Sequence, residues 1–151
     1  MKKLNIAIVG LGNIGTYLYK YLHKNKKILS KKNNCIPNVL YVSAKNKNKN
    51  RGFKINKKKW LKNYLEATKI DNIDLIIELI GGAEGPAKKL VFKALENKKH
   101  VVTANKALIA KYGDQLAKVA EKNKVNFEFE ASVCGGVPII RSLKEGLIAN
   151  K

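Results

Sequence analysis

The chain has 151 residues, 45% of them hydrophobic, with 31 Lys and Arg against 11 Asp and Glu, a net charge of +20. That length predicts one core-forming domain, and no apolar run approaches the ~20 residues of a membrane span, which excludes a membrane role. Only Arg51 and Arg141 are arginine, the residue that base edges and phosphate forks favour, so the lysines read as compositional bias and no nucleic-acid partner is expected, a basic nucleic-acid binder being the competing reading of the charge.

Taken in order, the run Ile6-Ala7-Ile8-Val9 predicts a strand over 4–9 buried on both faces, as in a parallel sheet. Ile14, Leu18 and Leu22 recur at helical spacing and predict a helix over 13–27, ended by the polar stretch 30–34. Val39-Leu40-Tyr41-Val42 reads as strand two, and 45–59 as a basic surface loop. Trp60, Leu61, Tyr64 and Leu65 suggest a short helix over the sheet. Asp74-Leu75-Ile76-Ile77-Glu78-Leu79-Ile80 is the next strand and ends in Gly81-Gly82. Pro86 suits the first position of a helix whose buried face is Leu90, Val91, Ala94 and Leu95. His100-Val101-Val102-Thr103 is a short strand, a helix carries Leu116, Val119 and Ala120 inward, and 125–129 is the last strand. Pro138 opens a final helix with Ile140, Leu143 and Leu147 on one face.

Strands alternating with helices predict an α/β fold with a doubly wound parallel sheet. Ligands of such sheets sit beyond the carboxyl ends of the strands, here at Gly10, Ser43, Gly81, Thr103 and Glu130. The first of these ends carries Gly10-Leu11-Gly12-Asn13-Ile14-Gly15 between a buried strand and a helix. In that context G-x-G-x-x-G predicts a dinucleotide site: Gly10 permits the turn, Gly12 lets a pyrophosphate approach, and Gly15 lets helix and strand pack closely. The first-turn amides, Asn13 and Ile14 among them, face the phosphates.

At the end of strand two a carboxylate would hold the ribose hydroxyls of NAD. No Asp or Glu occurs before Glu66, and the sequence there is Ser43-Ala44-Lys45-Asn46. Lys45, with Lys47 or Arg51, would meet a 2′-phosphate, so NADP is favoured over NAD; the alternative is solvated lysines, with the ribose held by backbone or Asn46. Gly81-Gly82 is a second close-approach site or an ordinary turn. Thr103-Ala104-Asn105-Lys106 places a lysine beside the expected nicotinamide, as an acid, a base or a carbonyl-orienting cation. The loop 130–137 offers carbonyls and one carboxylate to a hard cation, or is a Gly-Gly hinge. Cys35 and Cys134 show neither metal spacing nor a disulfide framework, and Cys134 has no histidine nearby to activate it. With no leader pattern at the start, the reading is a reducing, cytoplasmic setting.

Gly10–Gly15, Glu78-Leu79-Ile80-Gly81-Gly82, Val101-Val102-Thr103-Ala104-Asn105-Lys106-Ala107-Leu108 and Glu130-Ala131-Ser132-Val133-Cys134-Gly135-Gly136-Val137-Pro138-Ile139-Ile140 together resemble homoserine dehydrogenase, in that family's order and across the chain. The resemblance implies a Rossmann-type domain over 1–133 that binds NAD(P), with 134–151 the first helix of a substrate-binding and dimerising domain otherwise missing. It implies interconversion of L-homoserine and L-aspartate 4-semialdehyde by hydride transfer, with a homo-oligomeric full-length enzyme. It assigns Lys106 to the reacting carbonyl, Gly10, Gly12, Asn13, Ile14, Gly15, Ala44, Lys45, Arg51, Gly81, Gly82, Thr103 and Lys106 to the cofactor, and Glu130, Val133, Gly135 and Val137 to a sodium ion. The 151 residues alone are expected to bind NADP(H) weakly and turn over little homoserine. The competing readings are another NAD(P)-dependent reductase sharing this nucleotide half, and a non-catalytic nucleotide-binding module.

Overall fold

The structure is a computed structural model that describes residues 1–133, 135 and 137–146. Five parallel strands form one sheet in the order β2-β1-β3-β4-β5: β1 (Lys2–Val9), β2 (Cys35–Ser43), β3 (Leu75–Glu78), β4 (His100–Thr103) and β5 (Phe127–Glu128). The helices are α1 (Asn13–Lys24), α2 (Lys26–Asn33), α3 (Pro86–Glu96), α4 (Lys106–Asn123) and α5 (Ile139–Gly146).

Strand pleating divides the core. Ile6, Ile8 and Ile77 face Tyr19, Leu18 and Leu22 of α1, whereas Ala7, Val9 and Ile76 face Leu90, Val91, Ala94 and Leu95 of α3 with Leu108 and Leu116 of α4. All four α3 residues expected to be buried are fully so, as is Leu116; Ala120 is buried and Val119 packs partly against the same cluster. The continuous apolar run of β1 is thus explained by its central place, covered on both faces.

Several boundaries differ from expectation. The first helix stops at Lys24 because Asn25 leaves helical geometry, its side chain donating to the Tyr21 carbonyl at 3.1 Å. A second helix then occupies 26–33, where sequence reasoning expected a polar terminus. On α1 the helical spacing is present, but Ile14 is 65% exposed, and Gly15 and Tyr19 are the buried residues. Strand β2 reaches back to Cys35 and includes Pro37, which an edge strand tolerates. The segment around Trp60 forms short 3-10 helices at Lys57–Lys59 and Tyr64–Thr68, and Trp60 bridges Val42 on the outer side of β2. Strands β3 and β5 are shorter than predicted. Leu147, expected on the last helix, lies outside the described residues; Ile140 is half-buried and Leu143 is 50% exposed.

Candidate functional site

The carboxyl ends of four strands finish on one row. Ser43 pairs with Val9, Val9 with Glu78 and Glu78 with Thr103. The chain turns to β2 on one side of β1 and to β3 on the other, so the strand order reverses beside β1. A crevice at such a reversal is where open α/β sheets bind ligands.

The three glycines of the first turn differ in what the fold asks of them. Gly10 has φ +108° and donates its N–H to the Ser43 carbonyl at 2.9 Å. A Cβ on Gly10 would stand 2.3 Å from the Leu79 carbonyl oxygen, and one on Gly15 would stand 2.0 Å from that of Gly10. Both are therefore demanded by the chain's own packing. Gly12 is not: its φ is −74°, and a Cβ there would meet nothing within 4 Å among the described residues. The open volume before its Cα is the space an approaching pyrophosphate needs. Among the described residues no side chain caps α1, and no acid occupies its first turn, leaving the positive end of the helix, with exposed Asn13 and Ile14, available to an anion.

Ala44 is half-buried beyond Ser43, and Lys45 is exposed. Arg51 is drawn in beside the glycine turn, its Nε donating to the Leu11 carbonyl at 3.2 Å. Its terminal nitrogens donate to the carbonyls of Lys47 at 3.2 Å, Lys49 at 2.8 Å and Asn46 at 2.7 Å, and the guanidinium lies 5.4 Å from the Trp60 ring centre. Arg51 thus folds the lysine loop around itself and moors it to the turn.

On the β3 side Gly81 and Gly82 have φ of +85° and +79°. The Gly82 carbonyl accepts from Asn105 Nδ2 at 2.7 Å, and Asn105 Oδ1 caps α4 by accepting from the Leu108 N–H at 3.1 Å. Lys106, the first residue of α4, is exposed and pairs with no acid among the described residues. The Asn105 bond to Gly82 thus ties the start of α4, whose first residue is Lys106, to the Gly81-Gly82 turn. Thr103 is fully buried, its hydroxyl engaged with Glu78 and Asn105. Just beyond, Glu84 accepts from Lys111 Nζ at 2.6 Å and from the Tyr112 hydroxyl, and Lys88 sits 4.0 Å from the centre of the same ring. The Lys111 hydrogen bond, then that of Tyr112, holds the Glu84 carboxyl down at about 2.

Glu130 does something its sequence context does not announce. Its two carboxylate oxygens accept from the N–H groups of Ile140 at 3.0 Å and Arg141 at 3.1 Å, so it caps α5 from ten residues away. Val133 is half-buried, and Gly135 and Val137 are exposed. The Val137 carbonyl accepts from Ile139 at 2.8 Å; Cys134 lies outside the described residues. Among the described residues no three His, Cys, Asp or Glu side chains cluster for a metal. The residue that sequence reasoning passed over is Glu78, whose signal was a lone acid inside an apolar strand run.

A glycine turn with open space at Gly12, at the reversal point of a parallel sheet, defines a dinucleotide-binding α/β domain. The profile of the family described as "Homoserine dehydrogenase, NAD binding domain" matches residues 10–130. Homoserine dehydrogenases of Neisseria gonorrhoeae and Bacillus subtilis are 38% and 36% identical to the whole chain, which covers 34% and 35% of them. The crystal structure of a homoserine dehydrogenase from Thiobacillus denitrificans superposes with a TM-score of 0.87 at 37% identity, over 99% of this chain and 34% of that one. The chain belongs to the homoserine dehydrogenase NAD-binding domain family, and it spans about a third of the length of these relatives.

Proposed function

We propose that this chain is the nucleotide-binding part of a homoserine dehydrogenase, the enzyme that interconverts L-homoserine and L-aspartate 4-semialdehyde. The observation that carries the reading is Gly12, a glycine that nothing in the protein's own packing requires, facing open space at an uncapped helix end. Gly12, Asn13, Ile14 and Gly15 receive the pyrophosphate through backbone amides, and Gly10, whose own N–H is given to the Ser43 carbonyl, shapes the turn that presents them. Ala44 and Lys45, on a loop held by Arg51, meet the adenosine ribose. With no acid before Glu66 to grip free ribose hydroxyls, Lys45 favours a 2′-phosphate and hence NADP. Gly81 and Gly82 carry the nicotinamide end, and Thr103 serves by holding Asn105 rather than by direct contact.

When bound, the reduced nicotinamide supplies a hydride to the aldehyde carbon. The Lys106 ammonium would hydrogen-bond the carbonyl oxygen, stabilise the charge that develops there, and pass it the proton that completes the alcohol. For the loop beyond β5 we propose a structural sodium ion held by oxygen donors of Glu130, Val133, Gly135 and Val137. Carbonyls suit a hard cation, and the Glu130 oxygens retain lone pairs after accepting from α5. Sodium would then raise the melting temperature where potassium does not.

The test is fluorescence titration of the chain with NADPH and NADH, followed by semialdehyde-dependent oxidation of NADPH by the full-length enzyme of which it forms a part. Lys106→Met is expected to lower turnover by about 10²–10⁴-fold while nucleotide affinity stays within about threefold. Failure of the chain to bind either nucleotide at millimolar concentration overturns the reading.

A further inference from the structure

Glu78, the last residue of β3, is 0% exposed. Its Oε1 accepts from the N–H groups of Ile80 at 2.7 Å and Gly81 at 3.2 Å, and its Oε2 accepts from the Thr103 hydroxyl at 2.5 Å. Thr103 Oγ1 in turn accepts from the Asn105 N–H at 3.0 Å. Asn105 returns to the glycine loop, its Nδ2 donating to the Gly82 carbonyl at 2.7 Å. The bonds close a ring that runs from Glu78 through Ile80, Gly81 and Gly82 to Asn105, and back through Thr103.

The position does not call for a carboxylate on packing grounds. Its neighbours along the chain are Ile76, Ile77 and Leu79, and an apolar residue would be easier to bury. What a carboxylate alone provides here is acceptance at both oxygens, for two amides and a hydroxyl. A glutamine could keep Oε1 for the amides. Its NH₂ would then oppose the Thr103 hydroxyl, which would have to abandon its donor role and leave a buried proton unpaired. The ring joins the loop carrying Gly81 and Gly82 to the first turn of α4, whose first residue is Lys106.

We propose that Glu78 is a positioning residue: through Thr103 and Asn105 it locks the Gly81-Gly82 backbone and the Lys106 end of α4 into one body. On the nucleotide reading given above, from which this follows, a ligand seated on that backbone thereby fixes where the Lys106 ammonium stands relative to it.

Amide hydrogen exchange on the 151-residue chain without nucleotide tests the ring by itself, and NADPH titration of the same samples tests the reading on which it rests. Glu78→Gln is expected to speed exchange about tenfold or more at Ile80, Gly81, Asn105 and Leu108, with Ile8 and Leu90 unchanged. Thr103→Val is expected to give the same increase at Asn105 and Leu108, and Thr103→Ser, which restores the hydroxyl, to reverse it. This pair carries the test if Glu78→Gln does not fold. NADPH affinity is expected to fall about tenfold in both loosened variants. A uniform rise in exchange, or one that stops at Gly81 without reaching Asn105 and Leu108, overturns the proposal and makes Glu78 a local support. Loosening in the expected pattern, in a wild-type background that binds no nucleotide, upholds the ring and overturns the nucleotide reading instead.

Discussion

Two alanine substitutions, three residues apart in one turn, separate packing from ligand binding. In Gly15→Ala the new methyl would stand 2.0 Å from the Gly10 carbonyl oxygen, a backbone atom held in turn by the contact of Gly10 with Leu79. Relief requires more than an ångström of movement between β1 and α1, and overpacking of that kind costs about 1–3 kcal/mol or more. For a domain of this size that lowers the melting temperature by roughly 3–10 °C. In Gly12→Ala the methyl meets nothing within 4 Å, and φ of −74° suits alanine. Losing glycine at an N-cap costs a few tenths to about 1 kcal/mol, and the stiffer unfolded chain returns about 0.4–1 kcal/mol. The net is near zero, so the melting temperature should move by no more than about 2 °C. The same methyl stands in the volume assigned to the pyrophosphate, and crowding worth about 1–3 kcal/mol there weakens NADPH roughly five- to 150-fold. Thermal melts read by circular dichroism, with fluorescence titration of NADPH, measure both. If Gly12→Ala binds NADPH as tightly as the wild type, or melts as early as Gly15→Ala, the reasoning is wrong.

Lys45→Ala should weaken NADPH about five- to tenfold and leave NADH within about twofold, since one exposed charge pair is worth about 1 kcal/mol; equal losses for both nucleotides would remove Lys45 from the 2′-phosphate. Glu84 has a carboxyl lowered from 4.5 to about 2, chiefly by the Lys111 hydrogen bond. A depressed carboxylate contributes stability above its unfolded value and loses it as pH falls through the folded one, so the clip to Lys111 and Tyr112 should weaken between 4.5 and about 2. An NMR titration should find the Glu84 midpoint near 2 in dilute buffer and closer to 4.5 in Lys111→Met; a midpoint unmoved by that change would disconnect the two groups. Leu90→Ala, at a fully buried site between α3 and the sheet, should cost about 2–5 kcal/mol, on the order of 10 °C in melting temperature, and a shift of under 2 °C would contradict the packing described.

The β1–turn–α1 unit and α3 were legible because their signals are local. An uninterrupted apolar run, a glycine pattern and a proline at a helix start each act within a few residues. What sequence reasoning lost was set by distant partners. Helix α2 buries Ser30 alone, through a bond from its hydroxyl to the Lys26 carbonyl, so its sequence reads as polar loop. Arg51 was legible as a cation near the adenosine end, but its engagement of four main-chain carbonyls depends on how the loop folds. Glu130 was read from its own loop, whereas its carboxylate reaches α5. Glu78 was quoted within a motif without a task, because its partner Thr103 is 25 residues away and meets it only once β3 and β4 pair.

The lysine loop moored by Arg51 has a kinetic consequence. The first 65 residues, which build β1, β2, α1, α2 and that loop, hold no carboxylate side chain at all, so their field keeps one sign around the mouth of the crevice. A polyanion drifting past is drawn in before it touches anything, and its encounter rate should drop steeply once added ions shorten the screening distance below about 8 Å. On the proposed function, capture speed and grip would then be set by different residues, and the first could be tuned at the rim without disturbing the turn proposed to hold the phosphates.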